Sequence, residues 1–467
     1  MAPFLGFPDG AGGVCPLRLD FLLGWANWRN LVKCVVSETL TMATLHPQWR
    51  DRSRPIAPDR PYPAGAYCSQ CGLCDSYYVA HVGEACGFLG AGMSQVERME
   101  PQVHGRDRRE DERHFGVTQR LAYGRVQQPV PGAQWTGLVT TIAQTLLRRG
   151  IVQGVVCVQS DPRDPFTPRP VLATTEAEVL AARGVKPTLS PNLRVLEEIE
   201  RQGLQRVLFI GVGCQVQALR AVAGHLNLEQ LYVLGTHCVD NGRRSGLDRF
   251  LQAASHSPAT VQHYEFMQDY RVHLKHRDGH FERVPYFSLP AGELAQQPDP
   301  RRDSPSVIAP SCYSCFDYMN GLADVVVGYM GVPYQYRPMT EHDQQVLVRN
   351  DRGQEMLEAV GEAITLKAPT SRGDRRSFVR QTLLQEQRSQ QADRPPSPLP
   401  RPLGQVLAQA LTWFGPQGLE FARYSIDYHT LRNYQFVAQH RGAKGLAQVP
   451  NYAQAIVADY PDLCPPA

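Results

Sequence analysis

Three cysteines, Cys68, Cys71 and Cys74, follow C-x2-C-x2-C within YCSQCGLCDSYYVAHVGEACGF. A loop of this spacing can wrap three irons of a cubane cluster, which needs a fourth thiolate to complete its set. Cys86 is the nearest later candidate. Zinc is the rival chemistry, because C-x2-C also opens many tetrahedral zinc sites. Such a site wants two ligand pairs, and three evenly spaced thiols fit awkwardly around one tetrahedral ion. Gly72, between the second and third cysteines, suits a tight turn that aims N–H groups at sulfur. The stretch points to iron–sulfur chemistry, with zinc as the alternative.

A second set of four is spread along the chain. Cys214 follows an apolar run in FIGVGCQVQAL, Cys238 follows another in VLGTHCVDNG, and Cys312 and Cys315 form a C-x2-C pair. If the apolar runs are parallel strands, their carboxyl ends share one edge, where ligands of open α/β sheets gather. His237, Asp240 and Asp317 stand beside these cysteines as candidate proton donors, and equally as ordinary structural polar residues. Gly211 and Gly213 resemble the start of a dinucleotide fingerprint, but Val216 occupies the third glycine position, so a nicotinamide site is not indicated. Lys186, Thr188, Ser190 and Asn192 in RGVKPTLSPN supply a cation, two hydroxyls and an amide before a helix start, as a phosphate contact would, and an ordinary helix entry explains them as well. Gln215 and Asn241, each close to a cysteine of the second set, complete the candidate cofactor contacts.

The elements that must position these residues read as α/β. Trp135 to Arg149 carries Leu138, Ile142 and Leu146 on one helical face, and Ile151 to Val158 is a β-branched run suited to a buried strand. Thr175 and Glu178 form a capping box. A helical signal through Leu193, Leu196 and Ile199 precedes strands at Val207 to Ile210 and Leu231 to Leu234, with a helix Gln215 to Val222 between them. This alternation predicts a mostly parallel sheet covered by helices. Tyr270 to His276 and Phe281 to Phe287 flank Asp278-Gly279, a hairpin signal, and Asp324 to Gly328 is a further strand. The charged run HGRDRREDERHFG reads as solvated loop. Beyond the Pro- and Gln-rich stretch 384–402, Leu407, Leu411 and Phe414 form one amphipathic face, and Phe421, Tyr424, Tyr428 and Leu431 another.

The chain divides into a poorly specified leader (1–41), an iron–sulfur segment (42–130), a central α/β region (131–383), a linker (384–402) and a helical C-terminal region (403–467). The fold expected is α/β, with a small N-terminal iron–sulfur domain and a C-terminal helical extension. A net charge of +3 among 467 residues does not suggest nucleic acid as a partner, and no apolar run approaches the roughly 18 residues of a membrane span. Twelve cysteines without a secretory signal favour metal over disulfides. Cys15, Cys34, Cys157 and Cys464 are left without a catalytic role.

GVGCQVQAL, the THC loop and CYSCFDYMNGLADVVVGYMG resemble the beta-subunit family of the deazaflavin (coenzyme F420) hydrogenases and dehydrogenases. CSQCGLCDSYYVAHVGEACGFLG, QWTGLVTTIA, VVCVQSDP, LAARGVKPTLSPNL, VPYFSLP and GLEFARYSIDYHTLRNY narrow the resemblance to the tetrapyrrole-reducing branch of oxygenic phototrophs, from about Met42 onward. The resemblance implies FAD, two 4Fe–4S clusters and reduced ferredoxin as electron donor. Cys68, Cys71, Cys74 and Cys86 would hold one cluster, and Cys214, Cys238, Cys312 and Cys315 the other. Relatives place the fourth cysteine of the first set three residues on, whereas here eleven residues separate Cys74 from Cys86, so ligand exchange between the clusters stays open. The implied reaction is ferredoxin-dependent reduction of the 8-vinyl group of a divinyl chlorophyll precursor. The alternatives are reduction of the 7-hydroxymethyl group of a chlorophyll a derivative, and an electron-transfer subunit of a hydrogenase-like complex. The 8-vinyl reading follows from the absence of a convincing transit peptide, which points to the cytoplasm of a photosynthetic bacterium, with peripheral thylakoid association and a homo-oligomer both open.

Overall fold

The computed structural model describes residues 47–464 except 58, 291–293, 295–296, 299–305 and 392–396. The leader reading, with Cys15 and Cys34, lies outside these residues. From Arg52 onward the chain forms one compact unit, so the Cys68 segment is not set apart as a domain of its own.

An eight-stranded sheet runs in the order β11-β1-β10-β9-β5-β4-β2-β3. Its strands are β1 (Arg120–Val126), β2 (Gly154–Asp161), β3 (Asp164–Ala173), β4 (Arg206–Gly211), β5 (Gln230–Thr236), β9 (Val325–Gly328), β10 (Gln344–Val348) and β11 (Ile364–Lys367). The central neighbours β2, β4, β5 and β9 pair in parallel. The flanks are antiparallel, β3 on one side and β10, β1 and β11 on the other, so the sheet is mixed around a parallel centre. Helix Leu138–Arg148 buries Leu138, Ile142 and Leu146 against Val155, Leu208, Val325 and Val346, which is why its apolar period and the β-branched strands were legible together.

The flanking strands lacked such signals. β3 contains Pro165, Pro168 and Pro170, which an edge strand tolerates because one side of its backbone needs no partner. β1, assigned by sequence to the iron–sulfur segment, lies inside the large sheet. Its Gly124 is required there: a Cβ would stand 2.7 Å from Leu366 Cδ2 and 3.0 Å from Val346 Cγ2. A second sheet joins β6 (Val261–Met267), β7 (Arg271–His276) and β8 (Phe281–Pro285), and the β7–β8 turn uses Gly279 at φ +91° as the hairpin signal required.

Three further sequence readings need correction. Residues 384–391 belong to helix Arg375–Gln391 rather than to a linker. On helix Arg401–Phe414 the buried face is Gly404, Ala408 and Thr412, small residues that allow close approach to β8, while Phe414 is 79% exposed. The charged run is solvated only in part: Asp107, Arg109, Glu110 and Asp111 are exposed, whereas Glu112 and His114 are buried. Arg108 lies 2.5 Å from buried Glu100 and stacks over Tyr452, and buried His114 bonds Asp427 at 2.7 Å. Charge alone misled here, because these side chains meet polar partners, near in sequence for Arg108 and distant for His114.

Candidate active site at the carboxyl edge of the sheet

Parallel β4, β5 and β9 present their carboxyl ends on one edge, and the second cysteine set gathers there. β4 leads through Gly211 into helix Gly213–Val222, which carries Cys214, and β5 leads into His237 and Cys238. The Cys312–Cys315 turn precedes β9 and is stitched to both strand ends. Asn320 Nδ2 donates to Gly211 O (2.8 Å), Cys238 N donates to Tyr318 O (3.2 Å), and Ala309 N donates to Asn241 O (2.8 Å).

The first set sits beside the second. Leu193 N donates to Cys71 O at 2.9 Å, which ties the C-x2-C-x2-C loop to the segment after β3. Gly72 adopts φ +94°, and a Cβ on it would fall 2.6 Å from Pro191 O. Cys86, Cys214 and Cys315 all pack against one apolar cluster containing Phe88, Met93, Phe316 and Val437. Backbone N–H groups face the sulfurs: Gln70 N donates to Cys68 Sγ at 3.3 Å, and the amides of Leu73, Phe88, Gln215 and Asp317 face Cys71, Cys86, Cys214 and Cys315. Burial pushes these thiols up, Cys214 to about 11 and Cys74 and Cys312 to about 12, so at neutral pH they are protonated until a metal displaces the proton. All eight thiols keep partial accessibility, whereas Cys157 and Cys464 are buried. Among the described residues no three of His, Cys, Asp or Glu are grouped as ligands of a single ion.

The three proton-donor candidates separate clearly. Asp240 holds Arg432 through two hydrogen bonds (2.9 and 2.7 Å), so its carboxylate is committed to an ion pair. Asp317 accepts from Gly321 N at 2.6 Å, and its Oδ2 presses on Gly213 without a hydrogen-bond partner. Burial raises its pKa. His237 has both ring nitrogens buried and unpartnered among the described residues, and burial with the Arg349 charge lowers it to about 3, so it is a neutral imidazole.

The candidate phosphate contacts come together, but their hydrogen bonds run within the protein. Lys186 Nζ donates to the carbonyls of Ala182, Arg183 and Gly184 after helix Glu176–Ala181, and burial lowers it to about 8. Thr188 bonds Phe166 O, Ser190 bonds Asn192, and Asn192 bonds Ile210 O. Gln215 Nε2 donates to Ser190 O and Asn241 Nδ2 to Thr188 O, so these residues lock one loop to the ends of β4 and β5. Gly211 and Gly213 are explained by close approach to Phe209 and Asp317.

Residue-by-residue reading missed Asn433, whose Nδ2 donates to Cys312 O (2.8 Å) and Cys315 O (2.7 Å), and Arg432, whose guanidinium lies 4.5 Å over the Tyr313 ring. Both stand on helix Leu419–Leu446 in the LRNY block. Only the resemblance singled that block out, because its polar residues carry no spacing signal.

Residues 121–197 and 204–372 match the N-terminal and C-terminal regions of "Coenzyme F420 hydrogenase/dehydrogenase, beta subunit". The chain is 57% identical to a 7-hydroxymethyl chlorophyll a reductase, chloroplastic, of Oryza sativa subsp. japonica, over 90% of this chain and 88% of that one. An uncharacterized protein of Nostoc sp. is 46% identical over 90% of this chain and 99% of its own length. The coenzyme F420 hydrogenase subunit beta of Methanosarcina barkeri is 28% identical over 43% of this chain and 66% of its own. The chain belongs to the coenzyme F420 hydrogenase/dehydrogenase beta-subunit family, in its tetrapyrrole-reducing branch.

Proposed function

We propose that the chain is a ferredoxin-dependent iron–sulfur flavoenzyme that reduces the 7-hydroxymethyl group of a chlorophyll a derivative to methyl. The observation that carries this reading is the 57% identity to 7-hydroxymethyl chlorophyll a reductase across nine-tenths of the chain. It displaces the expected 8-vinyl reduction, for which only the N-terminal sequence spoke. It also moves the proposed compartment from a bacterial cytoplasm to the chloroplast that the rice relative's name gives. Among the described residues no helix is long and apolar enough to cross a membrane.

The chemistry balances as R–CH2OH plus two electrons and two protons giving R–CH3 and water. The residues fit two 4Fe–4S clusters: eight partly accessible thiols in two neighbouring sets, with amides aimed at sulfur. Bound FAD would gather single electrons and supply them as a pair. The chain's own contribution would be to hold the two cysteine sets as cluster ligands, to exclude water with the apolar cluster around Phe316, and to place polar atoms at the sheet edge. His237, Asp317 Oδ2 and Asn320 Oδ1 are buried there without partners. Asp317, with one free oxygen, is the assigned proton donor to the departing hydroxyl.

The test is incubation of anaerobically purified protein with reduced ferredoxin and each pigment. Conversion of 7-hydroxymethyl chlorophyll a with divinyl chlorophyllide unchanged is expected, and the opposite pattern would restore the 8-vinyl reading. Recovery of a stoichiometric hydrogenase subunit, with neither pigment converted, would make the chain an electron-transfer subunit.

A further inference from the structure

Away from the cysteines, a surface cavity is lined by Tyr123, Arg125, Arg337, Asp343, Thr365 and Lys367. The sheet register builds it. Tyr123 faces Lys367 and Arg125 faces Thr365 across β1 and β11, so the four alternate residues share one face. Asp343 immediately precedes β10 and already holds Lys367, with Arg125 Nε at 3.9 Å and Gln335 Nε2 at 2.6 Å. Arg337 has no carboxylate partner among the described residues. Three cations therefore surround one carboxylate, which leaves an excess of two positive charges in a concave site.

Two further features mark the site as more than a solvated charge cluster. Tyr336, next to Arg337, adopts φ +57° and is 67% exposed, a left-handed backbone that a residue with a bulky side chain seldom holds without a reason. Its ring lies 5.1 Å from Tyr334, which stacks on His342. β1 also runs in the same direction as β9, which places Arg125 toward the edge that carries the second cysteine set. Three interstrand steps separate β1 from β5, about 14 Å. A chlorin ring with an acidic side arm is of this order.

We propose that this cavity is an oxyanion subsite for a carboxylate or phosphate carried by the planar ligands of the reaction, with the propionate of a de-esterified pigment as the favoured source. This rests on the proposed tetrapyrrole reduction. Arg337 and Lys367 supply charge-assisted donors, and Tyr123 lines the same cavity. A pigment esterified at the propionate presents no charge to this site, so the subsite discriminates between free-acid and esterified forms.

The experiment measures binding, not turnover, on the purified holoprotein. Chlorophyllide a and its phytyl ester, chlorophyll a, are titrated in the same detergent and followed by pigment fluorescence, for wild type, Arg337→Gln and Lys367→Gln. Flavin content is measured on each. A pigment carboxylate at the site predicts that each variant weakens chlorophyllide a about tenfold or more, with the ester and the flavin content unchanged. A cofactor phosphate predicts loss of flavin from the variants, with pigment selectivity unchanged. The proposal is overturned if acid and ester weaken alike, or if neither pigment binding nor flavin content changes. Should neither pigment bind while the variants lose flavin, the oxyanion subsite stands and the tetrapyrrole reading fails. Both substitutions are at partly exposed side chains, and a thermal melt confirms that the variants fold.

Discussion

Gly72 brings the C-x2-C-x2-C loop against the backbone of Pro191 and Arg194 at a single Cα. Its φ of +94° and the 2.6 Å approach to Pro191 O leave no room for a side chain. Gly72→Ala should cost about 2 kcal/mol or more from left-handed backbone and overlap together. Because the strain falls between Cys71 and Cys74, iron bound by the first set should drop as well, as an iron and acid-labile sulfide assay would show. The Asp240–Arg432 pair gives a second prediction at this scale. Arg432 is buried, so Asp240→Asn leaves a guanidinium without its counter-charge and should destabilise the fold by about 3 kcal/mol in denaturant titration. Asp317→Asn keeps the acceptor for Gly321 N but removes the proton, so turnover should fall about 100-fold with iron content preserved. Equal loss from Asp240→Asn and Asp317→Asn, with both folded and loaded, would show that the committed carboxylate had been wrongly set aside.

Helix Leu419–Leu446 covers the Cys312–Cys315 turn and is pinned by one carboxylate. Asp427 accepts from His114 (2.7 Å), Arg375 (2.8 Å) and Tyr460 (2.7 Å) in a buried setting. Burial alone would raise its pKa, but the His114 hydrogen bond and charge, Tyr460 and Arg375 outweigh this and lower it. A depressed carboxylate stabilises the fold above its unfolded pKa of about 3.9, and that stability is lost as pH falls through the folded value. Wild-type stability should therefore drop steeply below about pH 4, and Asp427→Asn should be weaker at pH 7 and flatter in acid. Unfolding curves between pH 7 and pH 2 check both. Helix Arg401–Phe414 gives the contrasting case. Phe414 points outward and Gly404 inward, with Ser288 Oγ against the place where a Cβ would stand. Phe414→Ser should change stability by no more than about 0.5 kcal/mol, whereas Gly404→Leu should destabilise by about 1–3 kcal/mol.

For the molecule as a whole, two four-cysteine sets require about eight irons per chain. Cys71→Ser and Cys315→Ser should each remove about half of them, and zinc in place of iron at Cys68 would refute the assignment. The sequence by itself determined the parts that depend on local period and spacing. The Thr175–Glu178 capping box, the helix with Leu138, Ile142 and Leu146 buried, the Asp278-Gly279 turn and the parallel strands around Cys214 and Cys238 are all present. Gly72 was legible for the same reason, since a thiol-bearing loop that turns its amides toward sulfur needs a residue without a Cβ. The rest depends on contacts between segments far apart in the chain, which spacing does not encode. Tertiary structure alone decided that β1 belongs in the large sheet, where Val346 and Leu366 close over Gly124, and that Arg108 and His114 of the charged run turn inward onto Glu100 and Asp427. It also committed Asp240 to Arg432 and left Asp317 with a free oxygen. A polar side chain's role depends on which partner reaches it first, and in this chain that partner is often more than 100 residues away.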